Sequence, residues 1–334
     1  MATIKISGKW SMVGLTVSTL WASPVVAHVK WFSEPASGAT HRGMPEPATL
    51  IIVGVLLAAG LFLAKAVDAV AHQYSLTPRR LYSRSTRPLR LVYYLIAIYF
   101  LGAAITNTFL APHIHMPEPL LYAGVAAQLV IYSGLLLDRG RGLCAALIVL
   151  LFVAASVSDP LFVLEYPLLL ALAWIVLFAD ERPSPLGLLL VRLLLGFSLV
   201  SLAFTEKLND PMRALSLLEQ YDFNFMAQAG LNYSDRLFVY SAGLVELLIG
   251  LVFLAGWVPR LTVAVLFMFM VATNSYFFSI GEHQMAWVEL IGHLPIFACG
   301  ILLLFYQPAP EIRKAPVNLR GGKAATPTTP GRLR

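Results

Sequence analysis

The residues best able to do chemistry are ionisable side chains embedded in apolar runs. Glu246 lies near the middle of one run, Glu165 and Glu289 about a turn inside the end of theirs, and Glu206 with Lys207 at the end of another. A charge at the centre of a membrane helix costs on the order of 3 kcal/mol on insertion scales, so each needs a partner or a task. A desolvated carboxyl suits proton transfer or hydrogen bonding to a quinone. His293 follows Glu289 by four residues, which places both on one helix face where they can pair. Gln128, Asn107 and Asn274 add polar groups at comparable depth, and all of these face one polar pocket in this reading. The structural alternative is that the acids and amides join helices by hydrogen bonding.

A second chemistry rests on histidine. Of seven histidines, His28, His41, His113, His115, His283 and His293 map to one side of the chain's topology and His72 to the other. His113-Ile114-His115-Met116 places two imidazoles and a thioether in a short loop. Cleavage after Ala27 would leave His28 with an α-amine and an imidazole for one metal, an arrangement similar to the histidine brace of copper proteins. Nitrogen ligation of this kind suits Cu(II), with His28, His113, His115 and His283 as the ligands. The alternative is solvated loop histidines, since no helical His-x-x-x-His pair is present.

The elements that must position these residues are membrane helices. The 334 residues are 58% hydrophobic and 13% charged, with mean hydropathy +0.74. Such a chain has too little charge to cover a soluble surface. The net charge of +6 does not point to nucleic acid, because the arginines sit in short loops and in the tail, where they orient a membrane protein. Cys144 and Cys299 fall inside apolar runs and are expected to be buried free thiols.

Residues 1–27 read as a secretory signal, with Lys5 and Lys9 ahead of a short apolar stretch, Pro24, and Val25-Val26-Ala27 at the cleavage site. Residues 28–47 form a short periplasmic segment. The apolar runs then predict membrane helices at 48–71, 90–110, 119–137, 142–157, 161–179, 186–205, 236–256, 261–279 and 286–306, each matched to about 30 Å of hydrocarbon. The tail 307–334 is basic and expected to be disordered. Loops 72–89, 138–141, 180–185 and 257–260, with the tail, carry most of the basic residues, which puts them in the cytoplasm of a bacterial inner membrane and the amino terminus in the periplasm. In the loop 206–235, Met212, Leu215, Leu218, Tyr221 and Phe225 recur at helical spacing, predicting an amphipathic helix that serves as a lid or a spacer.

The helices from 90 to 306 repeat as four plus four. Leu121 to Gln128 aligns with Val239 to Glu246, so that Tyr122 falls on Tyr240 and Gln128 on Glu246; Glu165-Tyr166-Pro167 falls at the place of His293-Leu294-Pro295. Four helices per unit give both units the same orientation.

The stretch Arg192 to Phe305 resembles the DoxX family of small four-helix membrane proteins. The matching pieces are Thr205-Glu206-Lys207-Leu208, Gly243-Leu244-Val245-Glu246, Trp257-Val258-Pro259-Arg260 and Gly292-His293-Leu294-Pro295. The first unit resembles it weakly. The expected fold is therefore all-α and transmembrane: one amino-terminal helix (48–71), then two tandem four-helix DoxX-like units at 90–179 and 186–306. The family includes a subunit of a thiosulfate:quinone oxidoreductase, so the resemblance implies a quinone-linked redox role.

No P-loop, dinucleotide glycine fingerprint, Cys-x-x-Cys or Gly-x-Ser-x-Gly elbow occurs in the sequence. Three functions stay open. The first is a quinone-associated component of a membrane electron-transfer system, acting with a partner redox subunit. Its pocket would use Glu206, Lys207, Glu246, Glu289 and His293 for proton chemistry and Gln128, Glu165 and Asn274 for binding. The second is a periplasm-facing copper-binding or copper-transfer protein. The third is a scaffold subunit with no chemistry of its own.

Overall fold

A computed structural model describes residues 47–73, 85–209 and 211–306. The stretch 1–27 read as a signal, His28, the rest of the segment before Pro47 and the tail from 307 lie outside the described residues. The described elements are all helical: α1 (Pro47–Gln73), α2 (Arg87–Ile105), α3 (Glu118–Leu136), α4 (Arg141–Ser158), a 3-10 turn (Phe162–Glu165) and α5 (Leu168–Phe178). They continue with α6 (Pro185–Ala203), a π-turn (Phe204–Leu208), α7 (Met212–Tyr221), the single turn α8 (Phe225–Gln228), α9 (Asp235–Ala255), α10 (Pro259–Ser279) and α11 (His283–Tyr306). Eight of these stretches are long and apolar enough to cross a membrane. This is an integral membrane protein with multiple spans.

The expected span at 161–179 is discontinuous. Pro160 ends α4 and Pro167 breaks the run again, because each lacks an N–H and disfavours helix in the residue before it. The remaining helix, α5, has 11 residues and is about 16 Å long, too short to span by itself. The break is buried against α6, whose Ser198 hydroxyl accepts the Leu168 N–H at 3.2 Å. Broken backbone at membrane depth is tolerated where protein supplies such partners.

α6 and α11 form the centre. α6 packs on α5, α9 and α11; α11 packs on α2, α5, α6 and α10. The α6–α9 crossing is the tightest. A Cβ on Gly196 would meet the Gly250 carbonyl oxygen at 2.8 Å, and a Cβ on Gly250 would meet the Gly196 carbonyl oxygen at 2.8 Å. Without a hydrophobic drive between helices in lipid, such backbone approach supplies the packing. α1 lies against α9 with Gly60 on Leu248, and Asp68 Oδ1 accepts the Val258 N–H at 2.9 Å.

One end of the bundle is arginine-rich. There Arg141 and Tyr93 both donate to the Ala179 carbonyl, at 3.1 and 2.8 Å, and Arg260 donates to the Leu304 carbonyl at 3.1 Å. These carbonyls belong to terminal helical turns, which lack intrahelical donors and favour cations. Arg141 also bonds Asp138 in the α3–α4 loop and holds its carboxyl below the usual carboxylate range.

At the opposite end, the expected amphipathic helix is α7, with Ala214 and Leu218 buried. Phe223 stacks on Phe277 and meets Tyr276 and Phe238 edge-on, and the Tyr276 hydroxyl donates to the Tyr221 carbonyl at 2.6 Å. This cap covers the first turns of α9, which run past the end of α6.

The glycine crossing has a direct consequence. Gly250→Val forces α6 and α9 apart and should destabilise the protein by about 1–3 kcal/mol through overpacking. Gly54→Val in α1, where a Cβ meets nothing within 4 Å, should leave thermal unfolding in detergent unchanged. Equal unfolding midpoints for both variants would contradict the packing described.

Candidate functional site

The site is built where the π-turn ends α6. Its defining bond runs from the Asn209 N–H to the Phe204 carbonyl at 3.0 Å, five residues back. One extra residue in a turn rotates the chain beyond it by about 100° relative to an α-helix. Within this widened turn Lys207 meets α9, with Glu206 beside it. The Lys207 ammonium donates to Glu246 at 2.8 Å and lies 3.5 Å from Glu206. Gly243, one turn before Glu246, makes room for the lysine stem: a Cβ there would sit 2.9 Å from Lys207 Cβ. Glu206 is 1% exposed, whereas Lys207 and Glu246 are 17% and 21% exposed, so a ligand would approach from the Glu246 side.

α11 brings the second pair. Glu289 Oε1 and His293 Nε2 are 3.2 Å apart on one helix face, as their spacing predicts. Asn274 of α10 fixes the imidazole. Its Nδ2 donates to the Met270 carbonyl at 2.8 Å, which sets the amide orientation, and the same nitrogen faces His293 Nδ1 at 3.2 Å. An N–H donor there requires a lone pair on Nδ1, so the ring proton is on Nε2 and points at Glu289. Lys207 and Glu206 lie within electrostatic range of His293, as does Glu289 of Glu246.

The first half contributes a separate cluster. Glu165, in the 3-10 turn, accepts the Thr205 hydroxyl and lies 3.5 Å from His113 Nε2. His113 is buried between the Phe162 and Tyr166 rings. Gln128 is fully buried and donates to the Thr108 carbonyl at 2.9 Å, holding the α2–α3 loop. In that loop Leu110 takes φ +62°, and its carbonyl accepts the Tyr99 hydroxyl at 2.8 Å. Gln128 therefore acts as structural glue in the geometry seen, and Asn107 is exposed.

Thus the structure gathers Glu206, Lys207, Glu246, Glu289, His293 and Asn274 in one region and joins Glu165 to it through Thr205. Thr205 and Gly243 belong to the site by geometry. Both stand in the motifs quoted for the stretch Arg192 to Phe305, yet neither residue type signals chemistry by itself. Among the described residues, the two clusters place four carboxyls against one ammonium and two imidazoles. Desolvated carboxyls set beside an ammonium and imidazoles can release and recover protons, and that is the chemistry this arrangement can do.

Among the described residues, the expected metal ligands His113, His115 and His283 do not converge. A turn closed by Ile114 N–H to the Ala111 carbonyl turns His113 inward to Glu165, while His115 and His283 are exposed, the latter beside Phe278. Among the described residues no three His, Cys, Asp or Glu side chains are grouped to hold a metal ion. His28 lies outside the described residues. Cys144 and Cys299 are buried free thiols, as expected.

Residues 187–279 match the family model described as DoxX. The match spans α6 to α10 and includes Glu206, Lys207, Glu246 and Asn274, but not Glu165, Glu289 or His293. No curated protein and no solved structure matches the chain.

Removing the ammonium tests the cluster. Lys207→Met leaves Glu206 and Glu246 facing each other in an apolar setting and should cost about 3–5 kcal/mol of stability. Adding Glu246→Gln should restore most of it, read as denaturation midpoints in detergent. A Lys207→Met variant as stable as the original would mean the pair carries no charge-balancing role.

Proposed function

We propose, from the premise that residues 187–279 are a DoxX-family domain in an integral membrane protein, that this chain is a quinone-associated component of a membrane electron-transfer system. The observation that carries the reading is the Glu206–Lys207–Glu246 cluster, buried at one end of the bundle beside the Glu289–His293 pair. Quinone reduction consumes two electrons and two protons. Lys207 and the carboxyls supply charged hydrogen-bond partners for the head-group oxygens, and the desolvated carboxyls pass protons to them. The sequence carries no nucleotide or haem-attachment motif, so electrons arrive through a partner redox subunit.

The charge pattern of the loops supports an inner-membrane orientation with the cap and the site on the periplasmic side and the arginine-rich end in the cytoplasm. The described helices after α1 are read as two tandem four-helix units. In each, the first helix packs on the second and the third on the fourth. The second unit carries the ionisable site and the first supports it. Copper chemistry finds less support, because His113, His115 and His283 diverge.

The test is saturable binding of a short-chain ubiquinone analogue to the purified chain in nanodiscs. Binding should weaken about 10- to 100-fold in Glu246→Gln and Lys207→Met, the loss of one charge-assisted hydrogen bond. Absence of saturable binding by the unmodified chain would reject the quinone reading and favour a scaffold subunit.

A further inference from the structure

The π-turn sets the direction of Glu206 and Lys207, and its register has an anchor outside the DoxX-matched stretch. Thr205 is the second residue of that turn. Its hydroxyl lies 3.0 Å from the Ser201 carbonyl and 3.5 Å from the Leu202 carbonyl, acceptors within its own helix, and it bonds the Glu165 carboxylate across 40 positions of sequence. One hydroxyl proton cannot serve three acceptors, and a carboxylate is the strongest of them. Glu165 is itself buried, 1% exposed, and is held by the break between Pro160 and Pro167 that sets the 3-10 turn against α6. His113 backs it from the α2–α3 loop.

We propose that Glu165 and Thr205 are positioning residues for the Lys207 site. The bond between them pins the turn at its wide register, and that register turns Lys207 toward Glu246. In the α-helical alternative the Asn209 N–H would bond the Thr205 carbonyl, and Lys207, inside the turn, would rotate away from α9 by part of the roughly 100° step. The first half of the chain thereby sets the geometry of a site lying wholly in the second. This deepens the reading of Glu206–Lys207–Glu246 as the working cluster and does not depend on which ligand that cluster takes.

A zero-length crosslink reads the register directly. Dicyclohexylcarbodiimide enters apolar regions and activates a carboxyl as an O-acylisourea. The Lys207 amine, having lost its proton, then attacks the Glu246 carbonyl carbon, forming an amide and releasing dicyclohexylurea. The product joins peptides from α6 and α9 with the net loss of one water and is counted by mass spectrometry on the full chain in detergent.

The unmodified chain should give this Lys207–Glu246 product. Thr205→Val and Glu165→Leu should lower its yield at least about tenfold, since displacement by an ångström or more removes attack geometry. Thr205→Ser keeps the hydroxyl and Glu165→Gln keeps an acceptor oxygen, so both should retain the yield, which separates positioning from general damage to the fold. Equal yields in all five proteins would overturn the positioning role. Equal losses in the conservative and the disruptive variants would overturn it as well. No product from the unmodified chain would overturn the Lys207–Glu246 contact and the inference with it. A quinone analogue that fails to bind, with the crosslink pattern intact, would reject only the ligand.

Discussion

An ammonium set into the apolar part of a membrane protein must be matched by negative charge, and the carboxylates that match it must themselves be balanced. Lys207 imposes that condition here, and much of the surrounding structure is arranged to meet it. Glu246 and Glu206 flank it, and the π-turn aims it. Gly243 makes room for its stem, and the Gly196–Gly250 crossing brings α9 close enough for the contact at 2.8 Å. Burial gives these interactions weight that the same residues would lack at a solvated surface.

The two halves of the bundle spend polar residues differently. In the first, Gln128 holds a loop through a backbone carbonyl, and Glu165 is engaged by Thr205 and His113. In the second, carboxyls meet an ammonium and an imidazole. Gln128 and Glu246 occupy aligned positions in the proposed repeat, one neutral and one ionisable, which fits one supporting and one working unit. The discontinuity before α5 belongs to the same division. It shortens a span, and in return it places a buried carboxylate against the end of α6.

Much of this was legible in the residues. Apolar runs predicted the helices, the amphipathic spacing predicted α7, and the four-residue separation of Glu289 and His293 predicted their pairing. Glu206, Lys207 and Glu246 stood out because charge in an apolar run demands a partner. Other features were not readable. The break within 161–179 comes from Pro167, which the length of an apolar run does not register. The π-turn has no local signature, since its register depends on a contact with Glu165 far away in sequence. The directions of His113 and His115 were not readable for a related reason: proximity in sequence says little about direction once a turn and the left-handed Leu110 redirect the chain. Thr205 is an ordinary helix residue by type, and its role exists only in three dimensions.

In the proposed function, the Lys207 cluster exchanges protons with a bound redox ligand. Redox-induced infrared difference spectroscopy tests it most directly, with a short-chain quinone bound to the purified protein and the protonated-carboxyl region recorded between oxidised and reduced states. A carboxyl difference band should appear, and it should disappear in Glu246→Gln. A carboxyl region that stays flat, or a band unaffected by substitution at Glu206, Glu246 and Glu289, would contradict it.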